Sequence, residues 1–121
     1  MNSIEMADML EAVLELLETC PWGQGVERIS ADKICAQDAI SMAAAGVTTW
    51  DEYVQVINSP KRKVLWEKEE QTLEHLSCRY LNGDLLFEWN DEPGRTKDEV
   101  LDLFRHAAKD LRNEAKPEET E

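Results

Sequence analysis

Four side chains have the types that could hold a zinc ion: Cys20, Cys35, His75 and Cys78. Three thiolates and one imidazole would satisfy tetrahedral zinc, and His75 and Cys78 have the spacing of neighbours on one face of a helix. The sequence contains no Cys-x-x-Cys pair, however, and we expect Cys35 and Cys78 to lie inside helices as small buried residues. We therefore predict free thiols, mostly buried, with no bound metal or other cofactor.

Nucleophilic catalysis has one candidate pair, Cys78 with His75. The sequence supplies no recognisable glycine-rich oxyanion turn, orienting acid or phosphate-binding loop. The second histidine, His106, lies between Asp102 and Asp110 at helical spacing, which is typical of a solvated helix face. We predict that the protein is not an enzyme.

A third candidate for chemistry is a group of acids before the last predicted helix: Asp84, Glu88, Asp91 and Glu92. Hard cations bind such oxygen ligands, but the spacing of a calcium-binding loop is absent. We expect instead that Asn90 and Asp91 bond to local backbone groups, and that Arg95 pairs with a neighbouring carboxylate.

The same segment predicts a structural turn followed by a helix. Pro93 fixes one φ angle, Gly94 permits a positive one, and Thr96 with Glu99 has the spacing of a capping box. The residues assigned to this turn are Trp89, Asn90, Asp91, Pro93, Arg95 and Thr96.

The net charge of −13, from 26 acidic and 13 basic residues, argues against direct binding to nucleic acid or anionic lipid. Residues 1–19 contain acids and no basic side chain. One interpretation is a solvated helix face. The functional alternative is a docking surface for a basic patch on another protein. Its candidate residues are Glu5, Asp8, Glu11, Glu15, Glu18 and Trp22.

Apolar residues recur at intervals of three and four over residues 6–17, 34–43, 64–81 and 100–111, which predicts four helices. The first is expected to end near Cys20-Pro21, the second at Gly46 and the one over 64–81 at Asn82-Gly83, and the last to run from Lys97 to about Asn113. Ser30 is expected to cap the second helix and Ser59-Pro60 to open the fourth. A capping box at Thr49 and Glu52 predicts a further short helix that begins there and continues through Tyr53, Val54 and Ile57. Residues 85–89 are a short, densely apolar run, in which periodicity does not distinguish a buried strand from a helical turn. Because no other strand is predicted for it to pair with, we expect an irregular segment anchored in the core.

These elements predict an all-α fold, a compact single-domain bundle of about five helices, with an irregular Trp-Asn-Asp turn before the last helix. The domain is expected to span residues 1–113, and residues 114–121 to form an acidic flexible tail. The four tryptophans have two interpretations: tryptophans anchor protein interfaces, but four in a small helical domain more often hold the core, which is the prediction we adopt for them as a group. Without a signal peptide or a long apolar run, the expected location is the cytoplasm.

Three patches carry a resemblance to known sequences: Trp22-Gly23-Gln24-Gly25, Cys35-Ala36-Gln37-Asp38-Ala39-Ile40, and Trp89-Asn90-Asp91 with Pro93, Arg95, Thr96 and Val100. In these patches the chain resembles a family of small uncharacterised proteins of actinobacteria and their phages, although Asp38 stands where relatives have glycine. The resemblance implies a compact helical domain and brings no activity, cofactor or catalytic residue.

Two functional hypotheses follow. The first is a non-enzymatic module, encoded by a phage or prophage, that binds and modulates a host protein through an acidic helical surface. The second is an acidic mimic of nucleic acid that blocks a DNA-binding defence or repair enzyme. Sequence alone leaves the partner, the oligomeric state and the role of the acidic surface open.

Overall fold

The computed structural model describes residues 1–24 and 33–115, and this part of the chain is all-α. It contains six helices: α1 (Ser3–Thr19), α2 (Ala36–Ala45), α3 (Trp50–Ile57), α4 (Arg62–Tyr80), α5 (Leu86–Asn90) and α6 (Lys97–Ala115). The predicted all-α bundle is confirmed. The additional helix is α5, which occupies the segment predicted to be irregular. Within the described ranges, none of the helices combines the length and apolar character needed to cross a bilayer.

The core is built mainly on α1 and α6, which form the most extensive helix pair. Both carry the predicted apolar faces: Leu10 and Val13 of α1 and Val100 and Phe104 of α6 are completely buried. Burying each such side chain contributes about 1.5–3 kcal/mol to folding. Helix α2 packs on α1 and α4, and α3 and α5 pack against α2 and α4 at the side of the bundle.

The ends of α1, α2 and α4 lie close to the predicted positions. Helix α1 ends at Thr19, before Cys20-Pro21, because a proline disfavours helical geometry in the residue that precedes it. Gly46 caps α2 with a φ of 71°, a left-handed conformation that a side chain would strain. Helix α4 gives way to Asn82 and Gly83, both with positive φ.

Two helix starts differ from the predictions. Helix α2 begins at Ala36 and not near residue 30; Ser30 and Asp32 lie outside the described residues. Cys35 is the N-cap and is not inside the helix: its Sγ accepts from the Asp38 amide at 3.4 Å, and the Asp38 carboxylate accepts from the Cys35 amide at 3.1 Å. A cysteine seldom caps a helix, so the sequence gives little sign of this start.

Directly before this cap, Ile34 forms an isolated parallel bridge with Trp22. Helix α4 likewise begins late, at Arg62, since the Ser59 hydroxyl accepts from the Lys61 amide in a preceding turn. At the other end of the domain α6 continues to Ala115, past the predicted boundary at residue 113. Residues 116–121 of the predicted tail lie outside the described residues.

Helix α4 is the least covered of the long helices. Its buried residues are Leu65, Thr72 and Leu76, whereas Trp66, predicted to be apolar core, is exposed. Trp50 is exposed as well, and Trp22 and Trp89 are only half-buried, so the prediction that the tryptophans hold the core is wrong for two of the four. The α4 surface beside α5 is therefore open to solvent.

Candidate functional site

The predicted acidic surface of α1 already has counter-charges within the protein. The guanidinium of Arg112 on α6 bonds to both carboxylate oxygens of Glu11, at 3.1 and 2.6 Å, and also to Asp8. These carboxylates raise the pKa of Arg112 above its ordinary value. Arg105 lies 3.9 Å from Glu18. Although residues 1–19 contain no basic side chain, α6 supplies basic partners for Asp8, Glu11 and Glu18 from the far end of the sequence.

The other members of the predicted α1 surface have different roles. The Glu5 carboxylate accepts from the Asn2 amide at 2.9 Å, and the Asn2 side chain accepts from the Glu5 amide at 2.8 Å, so this acid caps the helix. In the part of the chain that the structure describes, Glu15 forms no ion pair. Trp22 is half-buried and points to the turn before α6. Most acids of the α1 face thus form ion pairs within the protein or cap the helix.

Asn90 is the centre of a buried hydrogen-bond network. Its Oδ1 accepts from the Trp22 indole at 2.7 Å and from the Ala36 amide at 3.0 Å. Its Nδ2 donates to the Gly23 carbonyl at 3.2 Å and to Asp91 Oδ1 at 3.0 Å. The predicted local role of Asn90 is therefore too narrow. One fully buried amide joins the segment after α1, the start of α2 and the end of α5.

The rest of the turn is also structural. Arg95 closes a tight turn around Pro93 and Gly94 through its amide, which donates to the Glu92 carbonyl at 3.0 Å. Proline followed by a glycine with φ 87° is the pattern of a type II turn. The predicted pairing of Arg95 with a neighbouring carboxylate is confirmed at Glu92, 3.2 Å away, and the guanidinium lies 3.9 Å from the centre of the Trp89 ring.

The predicted capping box at the start of α6 is confirmed. Thr96 Oγ1 accepts from the Glu99 amide at 3.2 Å, and the Glu99 carboxylate accepts from the Thr96 amide at 2.8 Å. These two bonds satisfy two amides that an uncapped helix start would leave without partners. Together with the type II turn, the box sets the direction in which α6 leaves the turn.

The candidate metal ligands do not form a site. Across residues 1–24 and 33–115, no three His, Cys, Asp or Glu side chains come together in a group that could hold a metal. Cys35 is buried at the α2 cap, Cys20 is half-buried and Cys78 is exposed on α4, so the expectation of mostly buried thiols is wrong. His75 is half-buried, and its pKa is lowered by burial and by the nearby Arg79 guanidinium.

An open groove of about 900 Å³ lies between α4 and α5, and we call it the α4–α5 groove. One face of α4 forms its long wall, and the residues at the start of α5 face it. The wall residues on α4 include Lys63, Trp66, Glu67, Glu70, Leu73, Glu74, Ser77 and Cys78; the opposite wall includes Leu85, Leu86 and Phe87.

Large apolar side chains line this groove and are about half exposed: Trp66 by 51%, Leu85 by 52% and Phe87 by 42%. The expectation that residues 85–89 anchor in the core is wrong for Leu85 and Phe87. In a single helical turn, residues four apart share a face, so Leu86 and Asn90 are buried while their neighbours point outward. That spacing is the signal in the sequence that distinguishes the two faces.

Three exposed glutamates on α4, Glu67, Glu70 and Glu74, border the apolar wall. None of the three forms an ion pair with any residue that the structure describes. Glu69 differs from them, because its carboxylate accepts from the Ser41 hydroxyl at 2.8 Å and the Tyr53 hydroxyl at 3.0 Å. Burial, together with this carboxylate, raises the pKa of Tyr53. The groove therefore combines half-exposed apolar side chains with a row of acids available to a ligand.

Comparisons with known proteins identify a family for the chain but no activity. No curated protein and no solved structure shows significant similarity to the chain. A family model matches residues 1–110, which include α1 to α5, the turn and most of α6. Because this match spans nearly the whole sequence, the chain belongs to DUF6197, a family of unknown function.

Proposed function

We propose that the protein is a non-enzymatic protein-binding module and that its contact surface is the α4–α5 groove. The observation that carries this proposal is the cluster of half-exposed Trp66, Leu85 and Phe87 in one groove. Apolar side chains exposed singly are common on protein surfaces, whereas a contiguous apolar group with a polar border marks an interaction site. Tryptophan and phenylalanine are also enriched at the centres of protein interfaces.

The proposal moves the partner-binding surface from α1 to α4. On α1, Asp8, Glu11 and Glu18 pair with Arg112 or Arg105 and Glu5 belongs to the helix cap, which leaves Glu15 as the acid without an ion pair among the described residues. A partner that bound this face would have to displace most of those contacts. The acids of the groove, Glu67, Glu70 and Glu74, have no such competitors among the described residues. A basic patch on the partner would meet these carboxylates while its apolar side chains enter the groove.

The alternative of a nucleic-acid mimic has less support. A mimic needs exposed carboxylates spaced like phosphates and gains nothing from exposed apolar side chains. Here three acids of α1 are paired with arginines, and the acids Glu67, Glu70 and Glu74 border an apolar wall. Both features favour a surface that binds apolar side chains of a partner over a surface that imitates nucleic acid.

The biological setting of the proposal comes from the resemblance to actinobacterial and actinophage sequences. If a phage or prophage encodes the chain, the partner is a host protein in the host cytoplasm. Binding would then modulate that protein without a chemical step.

A matched pair of variants tests the proposal. Leu85→Ser with Phe87→Ser makes the groove polar, and Ile4→Ser with Val54→Ser changes exposed apolar residues outside it. Each tagged double variant is expressed in an actinobacterial host and compared with the parent by quantitative mass spectrometry of co-purified proteins. We expect a stoichiometric partner that only the groove variant loses. Loss of the same partner from both variants, or from neither, would contradict the proposed surface.

A further inference from the structure

We propose that the α4–α5 groove binds a basic amphipathic α-helix of the partner protein, about four turns long. This inference rests on the proposed function and specifies the conformation and charge of the bound segment. It follows from the shape of the groove wall, the order of its side chains and the charge at its border.

The long wall of the groove is one face of helix α4. The α4 residues that line it, from Lys63 through Trp66, Glu70 and Leu73 to Ser77, are separated by intervals of three and four. At a rise of about 1.5 Å per residue, this face is roughly 21 Å long. A second helix lying along it would present about four turns, with one apolar residue per turn facing the groove.

The side chains of the groove fit such a helix. Trp66 and Leu73 on α4 and Leu85 and Phe87 on the opposite wall leave apolar space between them, which suits side chains at positions i, i+4 and i+7 of a bound helix. These positions recur on one face of a helix and alternate between faces in a strand. A segment that bound by adding a β-strand would also need a free sheet edge, and the only β-pairing among the described residues is the Trp22–Ile34 bridge.

The glutamates at the edge of the groove indicate that the bound helix is basic. Glu67, Glu70 and Glu74 follow one another at intervals of three and four, so like charges neighbour each other along the edge of the groove. Lysine or arginine residues flanking the apolar face of a bound helix would relieve this repulsion. A second copy of the chain fits poorly, because it would bring the same acids and a net charge of −13.

Synthetic peptides test the inference directly. The probe is a fluorescein-labelled peptide of about 18 residues in which leucine recurs at helical spacing among lysines. One control has the same composition with leucine and lysine alternating, so that its apolar face forms only in an extended strand. A second control keeps the helical spacing and replaces lysine by glutamate. Fluorescence anisotropy measures the dissociation constant of each peptide for the full chain.

The helical lysine peptide is expected to bind at least tenfold more tightly than either control. Leu85→Ser with Phe87→Ser should weaken it by about tenfold or more, whereas Ile4→Ser, which alters an equally exposed side chain on α1, should not. Glu70→Gln with Glu74→Gln should weaken binding severalfold at low salt, and Glu15→Gln with Asp51→Asn, the same change in charge outside the groove, should have a smaller effect. Circular dichroism confirms that each variant is folded.

The outcomes separate the inference from the proposed function. If the alternating peptide binds as tightly as the helical one, and the groove variant weakens both, the groove binds protein but not selectively a helix. If the glutamate peptide binds equally well, the basic character is refuted. A concentration-dependent dimer in sedimentation, abolished by Leu85→Ser, would assign the groove to a second copy instead. If the dissociation constant of the helical lysine peptide is the same for every groove variant as for the parent, the inference is overturned. Failure of the proposed function is recognised independently, by retention of the cellular partner in the groove variant.

Discussion

Replacing Asn90 by alanine is expected to cost a large part of the stability of the fold. The substitution removes the amide that satisfies the Trp22 indole, the Ala36 amide and the Gly23 carbonyl. No neighbouring side chain can replace it without moving, because Asn90 is completely buried. Each of these groups would then lack its partner, and the Ala36 amide and the Gly23 carbonyl would lack it in a buried site.

The magnitude follows from those three contacts. A buried polar group that loses its partner costs about 1–3 kcal/mol. Trp22 is only half-buried, so its indole can recover part of the loss by reaching water. Counting about 1 kcal/mol for each group and a small cavity term, we expect Asn90→Ala to lower the free energy of unfolding by roughly 3–5 kcal/mol. Domains of this size are stable by only about 5–15 kcal/mol.

Urea unfolding, followed by circular dichroism, measures the effect. With a slope of about 1.5 kcal/mol per molar urea, the midpoint should fall by about 2–3 M. Trp22→Phe removes one donor and should cost about 1 kcal/mol. Asn113→Ala, at an exposed position on α6, should change stability by less than about 0.5 kcal/mol. A loss of under about 1 kcal/mol for Asn90→Ala would refute the view that this amide joins the three segments.

Three further predictions concern charge and the groove. Arg112→Gln should destabilise the protein at low salt by exposing the α1 carboxylates to mutual repulsion, and the difference from the parent should shrink in about 0.5 M sodium chloride; an effect independent of salt would contradict the ion pairing. Burial and Arg79 lower the pKa of His75, so the unfolded chain takes up this proton first as the pH falls below about 7, and the folded state loses stability. The stability of His75→Leu relative to that of the parent, measured by urea unfolding at pH 7.5 and 5.5, should therefore be higher at the lower pH, and a constant difference would contradict this assignment. Finally, antiparallel alignment with the α4 dipole would place the amino terminus of a bound helix near Cys78, which lines the groove and is exposed. A helical peptide carrying a pyridyl disulfide at its amino terminus should therefore exchange with this thiol and release pyridine-2-thione faster than one modified at its carboxyl terminus, and the Cys78→Ser variant provides the background rate.

Local patterns in the sequence predict α1, α6 and most helix ends because the information for them is local. The apolar faces of both helices repeat every three to four residues, and the Thr96–Glu99 capping box acts over a single turn. Gly46 likewise ends α2 through its own backbone conformation. Features of this kind can be identified without knowledge of the fold.

The features that were missed depend on contacts between distant parts of the chain. Periodicity identifies the apolar face of α4 but does not reveal whether another helix covers it, and Trp66 is left open. The acids of α1 appear unpaired until α6 brings Arg112 beside Glu11, 101 positions later. The residues around Asn90 indicate only that it forms a turn, because its partners Trp22 and Ala36 lie 68 and 54 positions away in the sequence.

The pairing of α1 with α6 has a consequence for synthesis on the ribosome. Helix α1 leaves the ribosome first, and the partner that covers its apolar face begins only at Lys97. At about 5–20 residues per second, several seconds pass before α6 is available. During that interval Leu10, Val13 and Leu17, all fully buried in the folded domain, lack the helix that completes their core. Nascent chains stalled before α6 should therefore be sensitive to protease, and protection should appear only when the last helix has emerged.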